Sequence, residues 1–153
     1  MSAPKSITKI NKNGVTYTSN VDACQYYLHE LCRAAMRDVG KFVKAKFREK
    51  YYQHFQKHSG DGGRAVNYVV MASAKTTAPR VEIGLKIGKV DGFYAFFQEL
   101  GTSNQPRLGL LQSCVEENIP QIIEIESKYL SGLESEAKAL SMIDEGEYSD
   151  DGE

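Results

Sequence analysis

Between Asn20 and Lys57 apolar side chains return at three- and four-residue steps: Cys24, Leu28, Leu31, Ala35, Val39, Phe42 or Val43, Phe47, Tyr51 and Phe55. That spacing predicts one long amphipathic helix. Ser19 or Asn20 serves as its N-cap, and Asp22 complements the positive end of the helix dipole. The glycine-rich stretch Ser59–Arg64 stops it. At 1.5 Å per residue the helix would be about 57 Å long, wider than a small domain. It therefore either bends, at Gly40, or projects beyond its own core. Ahead of it, Ile7 and Ile10, then Val15 and Tyr17, flank Asn13-Gly14, the dipeptide that readily supplies the positive φ angles of a tight hairpin.

The period then changes. Two strands are expected at 67–74 and 80–88, the second alternating Val81, Ile83, Leu85 and Ile87 with Glu82, Gly84, Lys86 and Gly88, which is one buried face and one wet one. Gly84 and Gly88 would leave room for another backbone. A short helix should span Gly92 to Leu100 and end at Gly101. A second long helix follows from about Leu108 to Leu140, with Leu111, Val115, Ile119, Ile122, Tyr129, Leu133 and Ala137 inward and Pro120 kinking or dividing it. The fold class is α+β: two long helices packed on a small, mainly antiparallel β-sheet, with a short helix between the strands and the last helix. Residues 1–19 form an N-terminal arm or hairpin, 20–140 one domain, and 141–153 an acidic tail expected to be flexible.

Charge adds a polarity that hydropathy does not show. The chain of 153 residues has a net charge of only -1. Its cations crowd the first third, however, and the stretch from Glu116 onward holds two lysines (Lys128, Lys138) among many carboxylates. Arg33, Arg37, Lys41, Lys44 and Arg48 step by three or four along one helix face. Such a division suggests contacts between copies or between halves more than a dedicated polyanion binder. No apolar run approaches the roughly 20 residues of a membrane span, and no secretory leader is expected.

Candidate chemistry is sparse. "SGDGGR" lacks the Gly-Lys-Ser/Thr ending that sets a lysine on phosphates, and no serine sits in a Gly-x-Ser-x-Gly elbow. The three cysteines, Cys24, Cys32 and Cys114, match no metal or redox spacing. His54 and His58 stand one turn apart but have no third ligand nearby. Neither an enzyme nor a cofactor or metal is expected.

The order long helix, Ser-Gly loop, two strands, "YAFFQELGTS", proline, long helix resembles the head–tail joining proteins of long-tailed double-stranded DNA phages, known as neck, tail-completion or tail-terminator proteins. Tyr94-Ala95, Glu99, Gly101-Thr102, then Pro106 and Leu108 carry the likeness, with Ser59-Gly60 ahead of the first strand; it covers about residues 20 to 135. The chain departs from the pattern at Arg107, where the family shows Phe, and at the inserted "DGGR". The resemblance implies a structural virion protein, made in the host cytoplasm. Copies would close into a ring, six being the implied number, between the head connector or stopper and the tail tube, near channel DNA and away from any membrane. Phe93, and Phe96 or Phe97, should anchor the short helix on the sheet. Phe93, Tyr94, Phe97, Glu99, Gly101, Thr102 and Pro106 are the candidate interface, joined by the basic stripe Arg33, Arg37, Lys41, Lys44 and Arg48. Glu99 should accept backbone N–H groups or a basic side chain at the turn, and Gly101 should cap the helix. The alternative is a DNA-binding module using that stripe.

Overall fold

The computed structural model describes residues 4–5, 7–10, 14, 16–56, 62–72, 79–86 and 90–148. Asn13, Val15, His58, Ser59, Gly60, the turn at 75–78, Ile87, Gly88 and the acidic end 149–153 lie outside them. The chain is α+β, with a first hairpin β1 (Ile7–Ile10) and β2 (Thr16–Ser19) and a 35-residue helix α1 (Val21–Phe55). A second antiparallel hairpin follows, β3 (Val66–Met71) and β4 (Arg80–Leu85), then helices α2 (Val90–Leu100), α3 (Leu110–Glu117), α4 (Ile119–Leu130) and α5 (Glu136–Tyr148).

Helix α1 runs through Gly40 without a break. The glycine serves close approach instead: a Cβ there would lie 2.5 Å from the Tyr68 ring of β3. The helix keeps its length because it is wrapped. Tyr27, Leu31, Ala35, Val39, Val43, Phe47, Tyr51 and Phe55 are all buried or half-buried and recur every four residues. At 100° per residue a step of four overshoots the turn by about 40°. The apolar line therefore spirals around α1, and its cover must change sides along the way. Near the N-terminal end Tyr27, Leu31, Ala34 and Ala35 meet Tyr129 of α4 and Ala139 of α5. Toward the C-terminal end Phe47 meets Val66 of β3 and Leu110 and Cys114 of α3, with Ile83 and Leu85 of β4 against them. Val39 and Val43, the latter fully buried, lie on the line between the two clusters.

Cys24 and Leu28, expected inward, are exposed, and Tyr27 holds the inward position. They sit off the four-step line, at the end where the described cover comes from α4, α5 and the turn between them. The alternation of β4 holds, Val81, Ile83 and Leu85 inward and Glu82, Gly84 and Lys86 out, and no atom approaches the Cβ position of Gly84 among the described residues.

The second long helix is not continuous. It breaks at Asn118, whose amide bonds to Val115 C=O and whose side chain bonds to Cys114 C=O at 2.7 Å. Pro120 then sits in the first turn of α4, where its missing N–H costs no intrahelical bond. A 3-10 turn at Ser131–Glu134 separates α4 from α5. Counting from Leu108 holds in part: Tyr129 is buried and Leu111, Val115 and Ile122 are half-buried, but Ile119, Leu133 and Ala137, which adjoin the breaks, are exposed, and Leu110, Cys114 and Ala139 are buried. Helix α5 continues to Tyr148, well into the stretch expected to be a flexible tail, with Met142 and Ile143 packed against the Leu31 cluster.

Candidate functional site: the α2–α3 loop and the uncovered faces

The segment Tyr94 to Leu111 is built around its carboxylate. Helix α2 buries Ala95 and turns Gln98 and Glu99 toward the body. Tyr51 Oη of α1 donates to Gln98 Oε1 at 3.1 Å, and Leu108 N–H donates to Gln98 C=O at 3.0 Å. Both Glu99 carboxylate oxygens accept from Leu111 N–H at 3.0 Å, and Oε1 also accepts from Gln112 N–H at 3.3 Å. These are first-turn amides of α3, whose own N-cap residue, Gly109, has no side chain to offer. Glu99 thus caps α3 from the preceding helix, satisfying orphan donors and placing negative charge at the positive end of the dipole. The expected backbone role of Glu99 is met, though at the next helix and not at its own turn.

Gly101 ends α2 with φ +80°, its N–H bonded to Phe97 C=O at 2.8 Å. A Cβ at this position would lie 2.8 Å from Arg107 N, so both conformation and space require glycine. Thr102 pairs with Gln105 across a tight turn, and its Oγ1 accepts from the Asn104 and Gln105 amides. Pro106 is exposed on the way to α3. Every polar position of "QELGT" outside solvent therefore has a structural task. Among the described residues no group of three potential metal ligands gathers.

The aromatic cluster is divided. Phe96 and Phe97 are half-buried, but Phe93, expected to anchor the helix, is 50% exposed and Tyr94 60%. The inward face of α2 is set by Ala95, Gln98 and Glu99, which leaves Phe93 to pack edge-on against Phe97 at 4.6 Å between ring centres. Arg33, Arg37, Lys41, Lys44 and Arg48 are half-buried along α1. Arg33 lies 3.8 Å from Glu30, and Arg48 Nε is enclosed without a hydrogen-bond partner among the described residues.

A second uncovered face was not foreseen. On α4, Ile119, Ile123 and Leu130 are spaced to share one side, and all three are exposed. Leu130 continues into an open groove of about 270 Å³ against α1, whose walls are Leu28, Cys32 and Met36 on one side and Glu126, Leu130 and Leu133 on the other. Burial raises the Cys32 thiol above its ordinary pKa, with Glu126 adding to the effect. The signal was in the sequence: with Ile122, Ile125 and Tyr129 on the inner side of α4, Ile119, Ile123 and Leu130 share the outer one.

Compared with family models, curated proteins and solved structures, the chain matches none. No described helix is long and apolar enough to cross a membrane.

Proposed function

We propose that this chain is a structural subunit that assembles with copies of itself, and that the assembly is a ring of the kind made by phage head–tail joining proteins. On this reading it acts at the neck of the virion, between a head connector or stopper and the tail tube, with DNA passing through the ring. Two uncovered faces of unlike character carry the self-assembly: the Phe93/Tyr94 edge of α2 beside its rigid loop, and the Ile119/Ile123/Leu130 side of α4. Contacts between unlike faces are heterologous, and they close into a ring when the rotation per step divides the circle. The placement at a phage neck rests on the Tyr94-Ala95…Glu99…Gly101-Thr102…Pro106 pattern, whose Glu99 and Gly101 have defined roles in building a rigid projecting loop.

Light scattering after size exclusion, repeated with tail-tube or connector protein added, tests this. The expected result is a closed oligomer, alone or on the partner, visible as rings by electron microscopy. A chain that stays monomeric at high concentration in both arms refutes it.

A further inference from the structure

The first hairpin is a poor fit for a free-standing element. Neither β1 nor β2 packs extensively on any other element among the described residues. A two-stranded hairpin alone in water is marginal at best. Its register pairs Ile7 with Ser19 and Lys9 with Tyr17, so these four positions share a face. Ile7 is half-exposed and Tyr17 is 61% exposed on that face. The segment up to Asn20 holds three lysines, Lys5, Lys9 and Lys12, and no carboxylate.

The groove between α1 and α4 has complementary properties. Leu28, Leu130 and Leu133 are exposed apolar walls, and Glu126 sits among them. The surrounding C-terminal third is strongly acidic. The wall from Leu28 to Met36 is about 12 Å long at helical rise, and a four-residue strand is about 13 Å. A single residue, Asn20, joins β2 to α1 and keeps the hairpin at the N-terminal end of that helix, where Pro4 and Lys5 line a separate cavity with Cys24, Tyr27 and Leu133, while the walls of the chain's own groove run on to Met36.

We propose that the β1–β2 hairpin is an exchanged arm that docks in the Leu28/Met36/Leu130/Leu133 groove of a second copy of this chain, Ile7 and Tyr17 on its apolar walls and the lysines toward Glu126 and its acidic surroundings. This deepens the self-assembly reading and rests on it, by adding an arm contact beside the α4 face, which it meets at Leu130.

The test mixes equal amounts of unlabelled and ¹⁵N-labelled full-length chain, each carrying Tyr17→Cys and Cys24→Ser, under mild oxidation. Both changes are at exposed positions, and native Cys32 in the groove is the reporter. The expected product is a disulfide joining position 17 to Cys32, half of it light–heavy by mass spectrometry. In the otherwise native chain Leu130→Glu should weaken self-association about tenfold or more. Lys9→Glu should weaken it up to about fivefold, with Glu126→Lys restoring it. Rings that form without this disulfide, and are indifferent to Leu130→Glu, overturn the arm and leave the ring standing. The mixed disulfide in an assembly that stops at dimers supports the arm and removes the ring. An exclusively intrachain disulfide overturns the exchange, and a strict monomer overturns both.

Discussion

The two ends of α1 are covered in different ways. Around Phe47 the cover comes from β3, β4 and α3, with α2 closing over them, and hydrogen bonds between distant segments lock it: Tyr51 to Gln98, Leu111 to Glu99, Lys86 N–H to Ala65 C=O at 2.7 Å. Around Leu31 the cover is helix on helix through small residues, Ala34, Ala35, Ala139 and Gly132, tied across by Tyr129 donating to Asp38. That end leaves one flank of α1 open as the groove and carries a hairpin that packs extensively on no other element among the described residues. One helix thus joins a half whose core is pinned by hydrogen bonds, with Phe93 and Tyr94 exposed on its outer edge, to a half in which a flank of α1 itself faces solvent. Each of these exposed apolar faces marks a place where association would bury surface.

The largest expected effect separates these halves directly. Phe47→Ala should cost about 3–5 kcal/mol in urea unfolding of the dilute chain, because Phe47 is 1% exposed and its neighbours are pinned. Leu31→Ala, nearly as buried, should fall near the lower end of the range for leucine, about 2–3 kcal/mol, since a site bordering an open groove can collapse more completely. Equal losses would break the distinction.

Next comes the loop that pins the Phe47 half. Gly101→Ala forces a side chain into left-handed backbone and against Arg107 N, for a loss of about 2–3 kcal/mol. Glu99→Ala leaves first-turn amides of α3 without their acceptor and should cost about 1–2 kcal/mol. Glu99→Gln, which keeps an oxygen, should recover part of it. Hydrogen exchange at Leu111 and Gln112 should accelerate in the alanine variant, while the amides of α5 stay unchanged.

These same residues show how far sequence pattern reaches. The hairpins, the long first helix and the Gly101 stop follow from rules that act within a few residues, and the structure has them; Glu99 was legible as an acceptor of backbone N–H groups, but not that its donors belong to the next helix. Phe93 is different: side-chain size suggested an anchor, but the inward face of α2 is decided by hydrogen bonds to Tyr51 and Leu111, which are 47 and 12 residues away from Gln98 and Glu99. The α4 face was hidden for a related reason. Asn118 breaks the helix, its side chain bonding to Cys114 C=O, and although Ile122 and Tyr129 keep their expected inward places, Ile119 beside the break is turned out. The groove depends in turn on where α4 comes to rest on a spiralling apolar line, a property of two packed elements and not of either alone.

The smallest effect gives the sharpest comparison. Lys50 of α1 reaches α3, its Nζ 2.6 Å from Glu117 Oε1 and 2.9 Å from Ser113 Oγ. Glu117 is well exposed, so Lys50→Met should cost under about 1 kcal/mol and the difference should shrink in high salt. The thiol between those two partners on the same helix reports more. Cys114 is buried, and burial raises its pKa, with Glu117 and Glu49 adding to the rise while Lys50 and Lys46 oppose it. Its thiolate fraction at a given pH therefore lies below that of a free thiol, and alkylation in the folded chain should be slow and should quicken as pH rises. Removing Lys50 withdraws both a tether of α3 and a charge that favours the thiolate. The two act in opposite directions on labelling: opening is easier, but the opened thiol is less ionised. If the tether dominates, Cys114 labels faster in Lys50→Met at a pH high enough to ionise free thiols, while Cys32, held by the other half, keeps its rate. Acceleration of both thiols together would mean that α1 loosens as one piece, and the division of the molecule into a pinned and an open-flanked half would fall.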